Sequence, residues 1–219
     1  VILTLQNTFI QNEQLSADGQ WVLFTATTTG SPDRLEMIRL DGQGQQTLYC
    51  GAASFVQWSP DQKYLAFDQT TGSYQNIELL TLATGTLQTE LHNATTSIAS
   101  SIHVQTWLNN THLYLFGLSV NGHRDSIFLL DTSKGANQNI QSVLTLSQNQ
   151  FIDFDSSFDG QHLYIASSDC ETAGCLPPGT ITTQSATTPS AAQKLLNDPK
   201  HAIMTIRAVT ASTLFFVLS

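Results

Sequence analysis

An all-β fold assembled from repeated four-stranded antiparallel units is what this 219-residue sequence predicts. The first observation is a recurring phrase: a small residue, a turn around Asp, then an aromatic-rich strand. It reads Ser16-Ala-Asp-Gly-Gln-Trp-Val-Leu-Phe24, Ser59-Pro-Asp-Gln-Lys-Tyr-Leu-Ala-Phe67 and Ser157-Phe-Asp-Gly-Gln-His-Leu-Tyr-Ile165. Leu108-Asn-Asn-Thr-His-Leu-Tyr-Leu-Phe116 and Ala208-Val-Thr-Ala-Ser-Thr-Leu-Phe-Phe216 are degenerate copies in the same frame. The second observation is the period: copies start 43 to 51 residues apart, the spacing of propeller blades with several strands each. The third is that helix-period patterns are nearly absent, with room for one helical turn at most at Ala191 to Leu196. The expected fold is a β-propeller of four-stranded antiparallel blades: about five in this chain, or a fragment of a six- to eight-bladed ring.

Each strand has a local reason. In the second unit Phe55 to Ser59 is short and apolar, and Pro60-Asp61-Gln62 turns the chain. Pro fixes φ there, and the Asp carboxylate can cap the turn. Tyr64 to Phe67 is a β-rich run, Thr70 to Ser73 a second turn, Ile77 to Leu82 a third strand, and Thr86 to Leu91 a fourth after Ala83-Thr-Gly85. The next unit repeats the plan with Val104 to Leu108, Leu113 to Leu118, Ser126 to Leu130 and Val143 to Leu146. Ile2 to Leu5 matches Val143 to Leu146, so the chain opens on what reads as a fourth, outer strand. It closes on an inner pair, Met204 to Ala208 and Thr213 to Leu218. The N-terminal strand is therefore expected to complete the last blade, because closure removes exposed edges. Residues 1–219 are expected to be a single propeller domain cut from a longer protein.

Composition narrows the function classes. Hydrophobic content of 41% supports a core, while charged residues make up 11%, well under the usual quarter or so. The net charge is −9 with eight scattered basic residues, and nucleic-acid binding needs a positive footprint to displace counterions. Nucleic acid is not an expected partner. No apolar run approaches the ~18–20 residues of a membrane helix, so direct membrane insertion of this segment is not expected either.

The phrase Trp58-Ser-Pro-Asp-Gln-Lys-Tyr-Leu-Ala-Phe67 resembles the WD40-like, or PD40, repeat of TolB-type β-propellers, whose blades carry W-S-P-D-G-K-x-L-A-F. The resemblance covers essentially the whole chain as repeats. It departs from the pattern at Asn109-Asn110-Thr111 and Thr210-Ala211-Ser212, which lack the Asp-Gly turn. What it implies is an architecture and three contexts: periplasmic interaction proteins, sensor domains, and the lid of prolyl-oligopeptidase-like peptidases.

Catalytic chemistry is poorly served. No G-x-S-x-G elbow is present, so a serine peptidase would need its catalytic half elsewhere. Asp155-Ser-Ser157-Phe-Asp159-Gly160 partly fits a calcium loop, but its twelfth position falls on Ala166 where a bidentate Glu is required. A β-turn is the favoured reading. The histidines, His92, His103, His112, His123, His162 and His201, have no H-x-H or H-x-x-x-H spacing and are expected to face solvent. No metal, cofactor or catalytic residue is expected.

Asp153 and Asp155 are two apart on an expected innermost strand and share one face. Gln14, Gln57 and Thr106, with Asn12, occupy the corresponding positions in other blades, so these residues are the candidate lining of a polar channel, with water as its expected filling. Cys170 and Cys175 flank Glu-Thr-Ala-Gly in a stretch, Ser167 to Thr180, that reads as a long loop stiffened by Pro177-Pro178. A disulfide between them is expected, which fits an oxidising, extracytoplasmic compartment, and Cys50 is expected to be a buried free thiol. The favoured function is a non-catalytic module binding a protein or peptide partner, with the lid of a prolyl-oligopeptidase-like serine peptidase as the alternative. A carbohydrate or small-molecule binder would need Trp21, Tyr49 and Tyr74 gathered on one loop face.

Overall fold

The structure is a computed structural model, which describes residues 3–72, 74–95, 99–119, 124–136, 140–145, 150–157, 159–171, 174–186, 191–210 and 213–219. All regular structure among them is β. The strands fall into two compact units, one holding the first eight and the other the remaining ten.

In the first unit, β1 (Thr8–Leu15), β2 (Trp21–Thr28), β3 (Arg34–Arg39) and β4 (Gln46–Cys50) pair in chain order as one antiparallel sheet. β5 (Ala53–Trp58), β6 (Tyr64–Thr71), β7 (Tyr74–Thr81) and β8 (Thr86–Leu91) repeat the plan. Leu23, Leu35, Val56, Leu65 and Phe67 are at most 1% exposed and pack together with Ala53 and Leu80. Burying each large side chain of this kind contributes roughly 1.5–3 kcal/mol. Even the irregularities repeat: Asn12 and Phe55, each four residues before the Ser of its phrase, both take φ near +50° to +60° where the first strand bulges.

The second unit has β9 (Ser101–Trp107), β10 (His112–Leu118), β11 (Arg124–Asp131) and β12 (Ile140–Thr145) in one sheet. β13 (Gln150–Ser156), β14 (His162–Glu171), β15 (Gly174–Ser185) and β16 (Gln193–Asp198) form the next, and β17 (Ile203–Thr210) pairs with β18 (Thr213–Leu218) alone. Tyr114, Phe116, Ile152, Phe154 and Leu163 anchor one apolar layer; Ala166, Ile181, Ile203 and Ile206 anchor another with Leu214 and Phe216. Tyr114 is fully buried and donates its hydroxyl to the Ala186 carbonyl, and burial raises its phenol pKa.

The repeated phrase folds the same way in three units. Ser16 Oγ donates to Asp18 Oδ1 (2.6 Å), which also accepts the Gln20 amide, while the Trp21 amide donates back to Ser16 Oγ. Ser59, Asp61, Lys63 and Tyr64 reproduce this network, as do Ser157, Asp159, Gln161 and His162. The third residue after each Ser sits at φ of 60° to 67°, as Gly19, Gln62 and Gly160. The degenerate copy solves the turn differently: Asn109 Oδ1 accepts the amides of Thr111 and His112. The Asp-Gly pair at 159–160 is thus a turn, and its carboxylate is committed to backbone and hydroxyl donors.

Four expectations are corrected. Residues 3–5 form no strand; Leu3 and Leu5 pack on Phe24, Ala26 and Ile38 of the first sheet, and β18 carries β17 as its sole hydrogen-bonded neighbour among the described residues. Among the described residues no strand pairing joins the two ends of the chain. Ala191 to Leu196 contributes to strand β16, because pairing with β15 outweighs a helix too short to repay its nucleation. Ser167 to Thr180 is a hairpin rather than a loop. Cys50 is exposed, at the end of the outer strand β4, and free.

Candidate functional site

Asp153 lies on β13 with 1% exposure. An ionised carboxylate at such a depth requires near-complete hydrogen bonding and a charge partner. It has both. Oδ1 accepts Arg124 Nη1 at 2.7 Å and Gln105 Nε2 at 3.2 Å; Oδ2 accepts Arg207 Nη1 at 2.9 Å and the Ile206 amide at 3.0 Å. Four strands of the second unit, β9, β11, β13 and β17, thereby converge on one carboxylate.

The two arginines are held differently. Arg124 is mostly buried, with its Cζ 3.7 Å above the Phe116 ring, a desolvated cation–π contact. Burial lowers its pKa, opposed by the neighbouring Asp153 charge. The Phe116 ring also stacks on His103 at 4.9 Å, whose Nε2 bonds Ser101 Oγ. Arg207 is half exposed, with a side-chain accessibility of 52%. Its Nη1 donates to Asp153 and to the Ile206 carbonyl (2.5 Å), so the guanidinium is fixed although it reaches solvent. Asp155, two residues along β13, accepts the amides of Ala208 and Ser156. Burial pushes its pKa up, and those bonds and Arg207 partly offset the rise.

The sequence-derived lining residues divide between the units. Gln14 donates to the Val56 carbonyl and Asn12 to Thr25 Oγ1 in the first, where Gln57 pairs with Ala66. Thr106 stands opposite Tyr114 in the second, with Asp153 and Asp155. Gln105, Arg124 and Arg207 were not singled out from sequence; the available signal is that only four arginines exist and Arg207 falls inside the apolar run Met204 to Ala208. Among the described residues no three His, Cys, Asp or Glu side chains gather as metal ligands. Tyr49 packs on Phe67 and Tyr74 on His92, so these aromatics serve separate contacts. His123 lies outside the described residues.

A second feature is the β14–β15 hairpin. These strands run 10 and 12 residues, against 5 to 8 elsewhere. β13 pairs as far as Asp169 and β16 as far as Gly179, so the rungs Cys170↔Cys175 and Glu171↔Gly174 extend past both neighbours. Leu176, Pro177 and Pro178 are exposed beside them. The prolines are tolerated because they occupy a register irregularity beyond the reach of β16, where no ladder donor is missed. The expected disulfide concerns side chains outside the described residues; the backbone register sets the two cysteines directly opposite each other.

No protein-family model matches the chain, and no curated protein does. Solved structures do. A prolyl endopeptidase structure matches with a TM-score of 0.70 at 13% identity, over 97% of this chain and 32% of that one. TolB from Acinetobacter baumannii matches at 0.62 and 13%, over 91% of this chain and 47% of the other. The fold is that of a β-propeller. The β-propeller domain of the Trilobed protease from Pyrococcus furiosus, described with an open velcro topology, matches at 0.59 and 11%, over 99% of this chain and 79% of that domain. This propeller chain spans about a third of the endopeptidase and about half of TolB. No helix among its described residues is long and apolar enough to cross a membrane.

Proposed function

We propose that the chain is a non-catalytic β-propeller module that binds a protein or peptide partner outside the cytoplasm, as the sensor or interaction region of a larger protein. The observation that carries this reading is the β14–β15 hairpin, which runs beyond its own sheet and exposes Leu176, Pro177 and Pro178. A rigid scaffold presenting one protruding segment is the usual form of a recognition surface. A disulfide across the non-terminal rung Cys170↔Cys175 would pre-order the tip and lower the cost of binding, and it would belong to an oxidising compartment. The Ser–Asp pairs of the repeated phrase are engaged in turns and Asp153 in an ion network, roles that a binding module accommodates.

The experiment is to replace residues 170–175 with Asn-Gly, which closes the hairpin at the Asp169↔Leu176 rung with a favoured two-residue turn. The shortened protein should keep its unfolding transition and lose its partner, captured by the intact chain from an extracytoplasmic fraction. Undiminished capture would refute the hairpin as the binding surface.

A second reading is favoured by the likeness to prolyl endopeptidase and to the trilobed protease propeller. In it the chain gates substrate for a peptidase domain. The neighbouring gene sequence tests it: an α/β region carrying G-x-S-x-G would decide for the peptidase.

A further inference from the structure

We propose that Cys170 and Cys175 form a reversible thiol–disulfide switch that orders the tip of the β14–β15 hairpin when closed and is opened by small thiols without unfolding the chain. The proposal rests on the reading of this hairpin as the binding surface and names how that surface is regulated.

The backbone register sets the geometry. Cys170 lies directly opposite Cys175, and Glu171 opposite Gly174 is the last rung before the connection. Two residues separate Glu171 from Gly174, and the residues flanking so short a connection bond to each other. Hydrogen-bonded and non-hydrogen-bonded pairs alternate along an antiparallel ladder. The cysteines therefore fall on a non-hydrogen-bonded pair, where Cα atoms stand about 4.5 Å apart. That separation lies within the span a disulfide bridges, about 4.4–6.8 Å, but well short of its usual 5.5–6 Å or so. The bond closes without backbone movement, and a bridge far from its relaxed geometry is the more easily reduced.

Placement confines the effect to the tip. β13 pairs with β14 as far as Asp169, and β16 with β15 as far as Gly179. A register irregularity between Ser167 and Asp169 sets the tip apart from the ladder below it. The two rungs beyond, Cys170↔Cys175 and Glu171↔Gly174, have no third strand beside them, and an unsupported two-stranded ribbon is marginally stable at best. Covalent closure holds these rungs together; opening frees them and leaves the four-stranded part of the sheet paired. The step is thiol–disulfide exchange. One small thiolate attacks a bridge sulfur to give a mixed disulfide and a second displaces it, so two small thiols leave as one disulfide. Their two protons and two electrons end on Cys170 and Cys175.

The test equilibrates the whole 219-residue chain with mixtures of reduced and oxidised glutathione, quenches with acid, and alkylates the free thiols for mass spectrometry. Cys50, which is exposed and free, is the internal reference. The trapped thiols should change reversibly from one to three with the glutathione ratio, while the tryptophan fluorescence of the folded chain stays constant. Opening should speed hydrogen exchange of the Glu171 and Gly174 amides by about tenfold, as expected of a locally frayed segment. Cys170→Ser combined with Cys175→Ser should exchange at the reduced rate in every mixture, and Cys50→Ser should switch as the parent does. Three thiols in fully oxidised glutathione, one thiol until urea is added, equal exchange in both forms, or a switch lost in Cys50→Ser would each overturn the proposal. The oxidised chain should also capture its partner several-fold better than the reduced one. Capture lost on shortening the hairpin but equal for the oxidised and reduced chains would sink the switch and leave the binding surface standing. Undiminished capture by the shortened chain would refute the surface alone, because trapping and amide exchange read the switch without a partner.

Discussion

Gly179 lies so close to Ile203 that a Cβ on the glycine would stand 2.6 Å from Ile203 Cγ1. The same methyl would meet the His201 carbonyl oxygen at 2.7 Å and the Ile203 amide nitrogen at 2.8 Å. The Gly179 amide also donates to that His201 carbonyl at 2.8 Å. Glycine is needed here for contact between backbones, not for its dihedral freedom. Since two of the three obstructing atoms are main-chain atoms, no rotamer change relieves the clash. Gly179→Ala should destabilise the chain by about 1–3 kcal/mol, read as a lower urea midpoint. An unchanged midpoint would mean that β15 and the 201–203 segment are not packed as described.

Gln62 tests the opposite use of glycine. It sits at φ 60° where the other two copies of the phrase have Gly19 and Gly160. A left-handed conformation costs a non-glycine residue roughly 1–2 kcal/mol, against about 0.5–1 kcal/mol for the greater freedom glycine loses on folding. Gln62→Gly should therefore stabilise by about 0.5–1 kcal/mol, less the exposed bond from the Ala17 amide to Gln62 Oε1. Gly19→Ala is the mirror test. No atom lies within 4 Å of its would-be Cβ, so any loss reports backbone strain alone.

These turns explain why the blades were legible. Ser, Asp and the left-handed residue act within six positions of one another, and local chemistry of that range is written directly in the sequence. Strand order within a blade follows from the same short connections. The Asp153 network is the converse. Its donors come from 48 residues before it to 54 after it, and no local pattern announces which strand will present Arg124 or Arg207. The hairpin was obscured for a third reason: Pro177-Pro178-Gly179 reads as a break unless one knows that β16 stops at Gly179 and asks no ladder bond of the prolines.

The ion network should contribute to stability. Asp153→Asn keeps the shape and removes the charge that balances Arg124, which is largely out of water. Breaking a buried pair by removing one partner costs about 3–5 kcal/mol, and a loss of that size is expected in urea unfolding. Adding Arg124→Met should recover part of it, because the orphaned cation is then gone. If the double variant were no more stable than Asp153→Asn, the desolvated charge would not be the cause.

Acid should expose the turns. Ser133, then Lys134, holds the Asp131 carboxyl down to about 2. Asp18 is lowered by Ser16 and the Gln20 amide, Asp159 by Ser157 and the Gln161 amide, and Asp198 by the Lys200 amide and His201. Unfolded aspartates titrate near 3.9. Between that value and about 2 the unfolded chain binds protons that the native chain refuses, so stability rises with pH there and is lost as pH falls. Asp155 and Glu78 have the opposite sign, because burial raises both. Just above the ordinary carboxylate range the native state holds their protons longer than the unfolded chain does, and stability declines as pH rises. Urea midpoints measured from pH 2 to 7 should therefore climb steeply and then fall gently. Asp131→Asn should flatten the acid limb, and Asp155→Asn should flatten the decline above it. An acid limb unaltered by Asp131→Asn would show that its turn is not ionised as the geometry requires.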